Sequence, residues 1–173
     1  GICYDIYEKL GSHPMTVNGV EGVLFAVWAP NAMRVSVVGD FNNWDRTAHP
    51  MQPVQQSGIW DIFVPGVKAG DLYKFAVETS QGYTVLKADP YGNQSQLRPD
   101  NASVVADIRY FDWTDQAWRK AHQEKKTESP MAIYEVHPGS WKKDPSMPGE
   151  FYNFKKLAVE LADYVLEMGY THV

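Results

Sequence analysis

Arg34-Val35-Ser36-Val37-Val38-Gly39-Asp40-Phe41-Asn42-Asn43-Trp44-Asp45 is a short alternating strand that runs directly into a polar turn. Val35 and Val37 alternate with Arg34 and Ser36, which is the period of a half-buried strand. The pattern breaks at Gly39, and Asn42, Asn43 and Trp44 crowd onto the turn that follows. A large aromatic on a tight polar turn is costly to leave in water unless it packs or binds something. A flat ring beside amide groups suits a sugar, because the ring covers the apolar face of a pyranose while amides reach its hydroxyls. A carbohydrate is the first ligand this stretch implies.

The flanking sequence repeats the strand-and-turn rhythm. Gly22–Trp28 is apolar nearly throughout and stops at Ala29-Pro30-Asn31; Ile59–Val64 stops at Pro65-Gly66. Leu72–Thr79 sets Tyr73, Phe75 and Val77 on one face and Lys74 on the other, then ends at Ser80-Gln81-Gly82. Tyr83–Lys87 and Ser103–Ala106 are two further short strands. Turn signals recur about every 8–12 residues with no helical period between them, the signature of an antiparallel sandwich. The expected fold is mostly β: a lead segment over 1–19, then an immunoglobulin-like β-sandwich over 20–111. Trp28 and Trp60 sit in strands among apolar neighbours and read as core.

The pattern changes near Asp112. Residues 112–130 read as a helical linker, with Thr114 capping a helix over 115–126 that bears Trp118. Met131–Val136 then reads as an apolar strand interrupted only by Glu135. Asn153 caps a helix whose Phe154, Leu157, Ala158, Leu161, Val165 and Met168 fall at helical spacing, with Gly169 just past its end. Lys155, Lys156 and Glu167 oppose the helix dipole, so burial of the apolar stripe must carry this helix. Tyr170-Thr171-His172-Val173 opens a second strand. Strand, helix, strand is the crossover unit of a parallel sheet, and an eight-fold barrel takes about 250 residues. Residues 131–173 therefore read as the first β-α-β unit of a truncated (β/α)8 barrel.

Composition narrows the function classes. A net charge of −5 argues against nucleic acid, since phosphate binding needs a basic face. No apolar run approaches the roughly 18 residues of a membrane span, and no signal-peptide pattern opens the chain. Six Trp and ten Tyr suit both a sandwich core and sugar platforms. The lone Cys3 can form no internal disulfide and belongs to no metal-ligand pattern, so a reducing, cytoplasmic setting is the simplest reading. Nothing calls for a cofactor or a metal, and His13, His49 and His122 have no partner spacing.

Several strings carry a family resemblance. They are Val27-Trp28-Ala29-Pro30-Asn31-Ala32, the Val35–Asp45 stretch, Ser57-Gly58-Ile59-Trp60, Tyr73-Lys74-Phe75 and Lys87-Ala88-Asp89-Pro90-Tyr91. The last is Tyr134-Glu135-Val136-His137-Pro138-Gly139-Ser140-Trp141, which is narrower than the Gly39–Trp44 motif. Together they resemble the N-terminal part of bacterial 1,4-alpha-glucan (glycogen) branching enzymes, across nearly the whole chain. Pro138 departs from that pattern, where such enzymes often carry Leu.

The resemblance implies a glycogen-binding module of carbohydrate-binding module family 48, followed by the start of an alpha-amylase-type barrel. The implied partners are alpha-glucan and the remainder of that barrel. The implied chemistry cuts an alpha-1,4 bond and forms an alpha-1,6 bond by a retaining route with two carboxylates, neither of them in this sequence. Such a chain by itself is expected to be inactive. Trp44 and Lys74 match positions that touch sugar in related modules. Trp44 has a second reading as a turn aromatic tucked onto its own sheet, and Lys74 as solvated surface; the residues leave both open. Asn42 and Asn43 serve the turn first, with sugar hydroxyls as a second use, and Tyr83 offers a second ring near Trp44. Tyr134 is placed by the resemblance close to the sugar at the cleavage point. Glu135 and His137 merely share a strand face. Two other readings stay in view: a non-catalytic glycogen-binding protein, and a debranching or trehalose-forming relative. Residues 131–173 count against the first, and Gly139-Ser140-Trp141 against the second.

Overall fold

The computed structural model describes residues 4–123 and 129–173. It divides into two units, Gly1–Asp112 and Trp113–Val173. The first opens with strands β1 (Gly11–Val17) and β2 (Val20–Trp28), paired antiparallel from Val17 opposite Val20 to Gly11 opposite Ala26. Between them Asn18 and Gly19 both take positive φ, 50° and 81°. That is the geometry of a two-residue type I′ turn, which Asn-Gly favours because few other pairs tolerate it. The sandwich thus begins at residue 11, inside the segment 1–19 that the sequence leaves as a lead. Pro14 is accommodated because β1 is an edge strand.

The remaining strands are β3 (Arg34–Gly39), β4 (Gln52–Pro53), β5 (Ile59–Pro65), β6 (Leu72–Glu78), β7 (Thr84–Lys87), β8 (Gln94–Ser95) and β9 (Ser103–Val104). One sheet runs β1-β2-β5-β4 and the other β3-β6-β9-β8, with β7 also paired to β6. All of these pairings are antiparallel. The core sits between the sheets: Val23, Phe25 and Val27 of β2, Val35 and Val37 of β3, Val64 of β5, and Tyr73 and Phe75 of β6. Alternation alone decides which residues these are. It also overturns one expectation. Since Val27 points inward, Trp28 points outward, and it is 61% exposed. A strand apolar on both faces hides this, because no polar neighbour marks the outer side. Trp60, by contrast, packs partly buried against the core and donates its indole N–H to the Ala29 carbonyl at 3.1 Å.

In the second unit, α1 (Gln116–Gln123) starts with the Asp115 carbonyl accepting from Arg119 N–H, so Asp115 rather than Thr114 stands at its N-cap. Expected helical positions 124–126 lie outside the described residues. Helix α2 (Phe154–Glu167) is capped as its sequence implies: the Asn153 side chain accepts from Lys156 N–H at 3.0 Å. At its other end Gly169 takes φ 76°, with Tyr170 N–H reaching the Val165 carbonyl and Gly169 N–H that of Leu166. That pair of bonds is a Schellman motif. The buried stripe is narrower than expected: Leu157 and Val165 are buried and Leu161 half-buried, while Phe154, Ala158 and Met168 are exposed. Lys156 does not stand unopposed at the helix start, because it donates to Asp144 at 2.8 Å.

The expected strand 131–136 reduces to a short parallel contact with 171–172. Ile133 bridges His172, Tyr134 N–H reaches the His172 carbonyl at 2.9 Å, and Thr171 N–H reaches the Ala132 carbonyl at 2.9 Å. A lone parallel pair is weak without neighbouring strands on both flanks and cover on both faces, and among the described residues neither segment has another strand beside it.

Candidate functional site

The turn after β3 is built by a division of labour within Gly39–Asp45. Phe41 points inward and stacks on Phe25, ring centroids 5.8 Å apart, anchoring the short 3₁₀ turn Asp40–Asn42 to the core. Gly39 must lack a side chain, since a Cβ there would run into the Leu72 carbonyl and the Phe41 ring. Asn42 is buried, and its amide is spent on the turn. Its Oδ1 accepts from Gly39 N–H at 2.9 Å, while Nδ2 donates to the Val37 carbonyl at 3.1 Å and to His49 Nδ1 at 2.8 Å. This leaves Asn42 nothing for a sugar, and it gives His49 a structural role the sequence did not signal. Asn43 is exposed at φ 51°.

Trp44 also lies in the left-handed region, at φ 61°. That is rare for a bulky residue and held only when the surroundings impose it. Its indole N–H donates to Asp40 Oδ1 at 3.0 Å, which fixes the ring, and the side chain is half-buried. Asp45 closes the turn by accepting from the Thr47 backbone and hydroxyl at 2.8 and 2.7 Å, bonds that hold its carboxyl below the ordinary range.

Lys74 lies on the outer face of β6, between inward-facing Tyr73 and Phe75, and donates to Asn101 Oδ1 at 2.5 Å. Asn101 stands in the loop before β9, and no pattern in the sequence links it to Lys74. Tyr83, 55% exposed, follows the turn after β6. Register separates it from Trp44. Gly39 pairs with Tyr73 and Arg34 with Glu78, so the Trp44 and Tyr83 turns stand at opposite ends of β6. The strand between them spans about 17 Å. Tyr83 is not the adjacent second ring that the sequence suggested, and one sugar ring cannot touch both. Beneath this face, Tyr73 donates its hydroxyl to Asp89 Oδ2 at 2.6 Å, and Tyr91 N–H closes an Asx turn on Asp89 Oδ1. Burial pushes both the Asp89 carboxyl and the Tyr73 phenol upward.

In the second unit Tyr134 heads a cluster of aromatics. Its hydroxyl accepts from Trp141 N–H at 3.0 Å, and its ring lies 5.3 Å from Tyr164 and 5.0 Å from Tyr170. The two ends of the Tyr134–Trp141 string therefore meet in space. Burial, with Tyr134 and Tyr170 beside it, raises the Tyr164 phenol. His137 Nδ1 shares a 2.7 Å hydrogen bond with the Ser140 hydroxyl, so its partner is not Glu135.

Residues 9–92 match the family model of carbohydrate-binding module 48, the isoamylase N-terminal domain. The match begins beside β1 and so takes in the hairpin strand within the first 19 residues. Beyond the module the likeness continues. The chain is 49% identical over 174 residues to the 1,4-alpha-glucan branching enzyme GlgB of Protochlamydia amoebophila, covering 100% of this chain and 24% of that protein. With the GlgB of Cellvibrio japonicus it shares 49% identity over 173 residues, covering 98% of this chain and 23% of the relative. The chain thus spans about a quarter of the length of these curated relatives. Among solved structures, the product complex of SpuA, a multi-modular glycogen-degrading pneumococcal virulence factor, aligns at TM-score 0.66 and 21% identity. It covers 98% of this chain and 20% of that one, a likeness of fold. Among the described residues, no helix is long and apolar enough to cross a membrane.

Proposed function

We propose that this chain is the N-terminal part of a 1,4-alpha-glucan branching enzyme. Its module holds alpha-glucan on the face carrying Trp44 and Lys74, and residues 131–173 begin a (β/α)8 barrel whose later strands carry the catalytic carboxylates. The observation that bears most weight is Trp44: a half-buried indole held at positive φ and pinned by Asp40. A rigid aromatic of this kind supports stacking on a pyranose without a large ordering cost. Lys74 and Asn101 supply a paired cation and amide on the same sheet, and Asn43 an exposed amide on the turn. Tyr83 contributes to longer chains that run along β6. Tyr134 lines the substrate pocket, its hydroxyl oriented by Trp141. In the full enzyme a retaining pair of carboxylates would break the alpha-1,4 bond through a glycosyl-enzyme intermediate, which a glucan 6-hydroxyl resolves in place of water.

Titration of the chain with maltoheptaose tests the glucan face. Saturable binding is expected, weakened roughly tenfold by Trp44→Ala; wild-type binding that survives this substitution unchanged refutes the assignment. Iodine staining of amylose incubated with the chain is expected to stay constant, and a spectral shift would place catalytic groups in these residues.

A further inference from the structure

The exposed Trp28 has surroundings that a stray surface aromatic lacks. It closes β2 opposite Ile59, and the loop 54–58 that leads into β5 folds beside it. That loop is tightly made. Val54 N–H bonds the Ile59 carbonyl at 2.8 Å, the Ser57 hydroxyl bonds the Val54 carbonyl at 2.6 Å and accepts from Ile59 N–H at 3.0 Å, and Ala29 N–H reaches the Gly58 carbonyl at 2.8 Å. Gln55 is held at φ 50°. Gly58 sits so close that a Cβ on it would lie 3.1 Å from the Trp28 indole nitrogen and 2.8 Å from Pro30 Cβ. The indole is therefore seated against backbone rather than swinging free. Beside it opens a groove of about 380 Å³, lined by Trp28, Pro30, Gln55, Gln56 and Ser57 among others. The side chains of Gln55 and Gln56 are exposed, and neither they nor the Trp28 N–H has a hydrogen-bond partner among the described residues.

We propose that Trp28 with Gln55 and Gln56 forms a second saccharide platform, separate from the Trp44 face. The chemistry is an aromatic plane for the apolar face of a pyranose, flanked by two uncommitted amides and an indole N–H for its hydroxyls. The choice of alpha-glucan as ligand rests on the function proposed above; the platform itself does not. Trp28 and Trp44 stand at opposite ends of β3, a strand of about 17 Å, and the first lies on the sheet that excludes β3. One rigid sandwich would then hold a glucan at two points, or two glucan segments at once, and the second contact gains from effective concentration.

The test follows the tryptophan indole N–H resonances of the whole chain during titration with maltoheptaose. The Trp28 and Trp44 signals are expected to shift along separate curves. Trp44→Ala should leave the Trp28 curve in place, Trp28→Ala should leave that of Trp44, and Gln56→Ala should weaken the Trp28 curve about three- to tenfold. A Trp28 signal that stays still while Trp44 moves overturns the second platform and spares the first. A Trp28 shift that vanishes in Trp44→Ala overturns it too, as a relayed effect. If no indole moves, both proposals fall. Since Trp28 is largely solvent-exposed, its removal should leave the sandwich folded, which the dispersion of the core methyl signals verifies.

Discussion

Asn42 and Asn43 are neighbours of the same type, and replacing each by alanine should give very different results. Asn42→Ala removes the acceptor of Gly39 N–H and the donor to the Val37 carbonyl at a site only 9% exposed. A buried backbone group left unpaired costs about 1–3 kcal/mol, so about 3 kcal/mol is expected in total after partial rehydration. At about 4–8 °C per kcal/mol for a unit of this size, melting should fall by at least about 12 °C. Asn43→Ala removes no such bond. It leaves an alanine at φ 51°, where an L-residue without a local side-chain bond loses about 1 kcal/mol. Urea unfolding, followed by the amide resonances of Phe25 and Tyr73 so that only the sandwich is read, gives both numbers. Equal losses for the two variants, or a loss below about 0.5 kcal/mol for Asn42→Ala, would refute the claim that Asn42 is a structural clamp.

Two further outcomes follow from single contacts. Asp144 is held at about pKa 2 by its bond to Lys156, aided by Ser146. A carboxyl lowered in this way stabilises the fold above its ordinary value of 3.8 and loses that contribution as pH falls toward 2. The carboxyl carbon of Asp144 should titrate near the lower value, and in Lys156→Met it should move up toward the ordinary one; a wild-type midpoint already near 3.8 contradicts the pairing. Gly39→Ala should destabilise the sandwich by at least about 2 kcal/mol, because its Cβ meets a backbone carbonyl that cannot swing away. Thermal unfolding indistinguishable from wild type would show that β3 and β6 can separate there.

The sandwich was legible where one face of a strand is apolar and the other is not. Val35, Val37, Tyr73 and Phe75 announce their faces by alternation, and all four are core. The outward direction of Trp28 is not legible, because its strand is apolar on both sides and periodicity carries no information about direction. The hairpin strand β1 has one local signal, Asn18-Gly19 between Val17 and Val20, a strong short-range hairpin cue. The polar and proline residues around it, His13 and Pro14, mask the alternation of an edge strand. Residues that act through distant partners were beyond reach. Asn101 meets Lys74, and His49 meets Asn42, only after the fold brings them together. The unused half of the apolar stripe on α2 has a different cause: helical spacing identifies a face, while only a partner decides how much of that face is covered.

The conformation of Trp44 links the fold to the proposed glucan face. Two consecutive non-glycine residues, Asn43 and Trp44, sit at positive φ; asparagine tolerates that region, whereas the tryptophan is there at a cost of about 1–2 kcal/mol relative to ordinary backbone. Glycine at position 44 would remove that cost, so stability of the turn alone does not explain a tryptophan there. The surrounding contacts hold the strained geometry in place: Phe41 locked in the core, Asn42 clamping Gly39 and Val37, and Asp40 bound to the indole N–H. Strain kept by several independent contacts, and ending in an oriented aromatic that is only half-buried, supports the proposed glucan face. Asn42 and Trp44 therefore belong to one device, with the amide holding the turn and the indole presented by it.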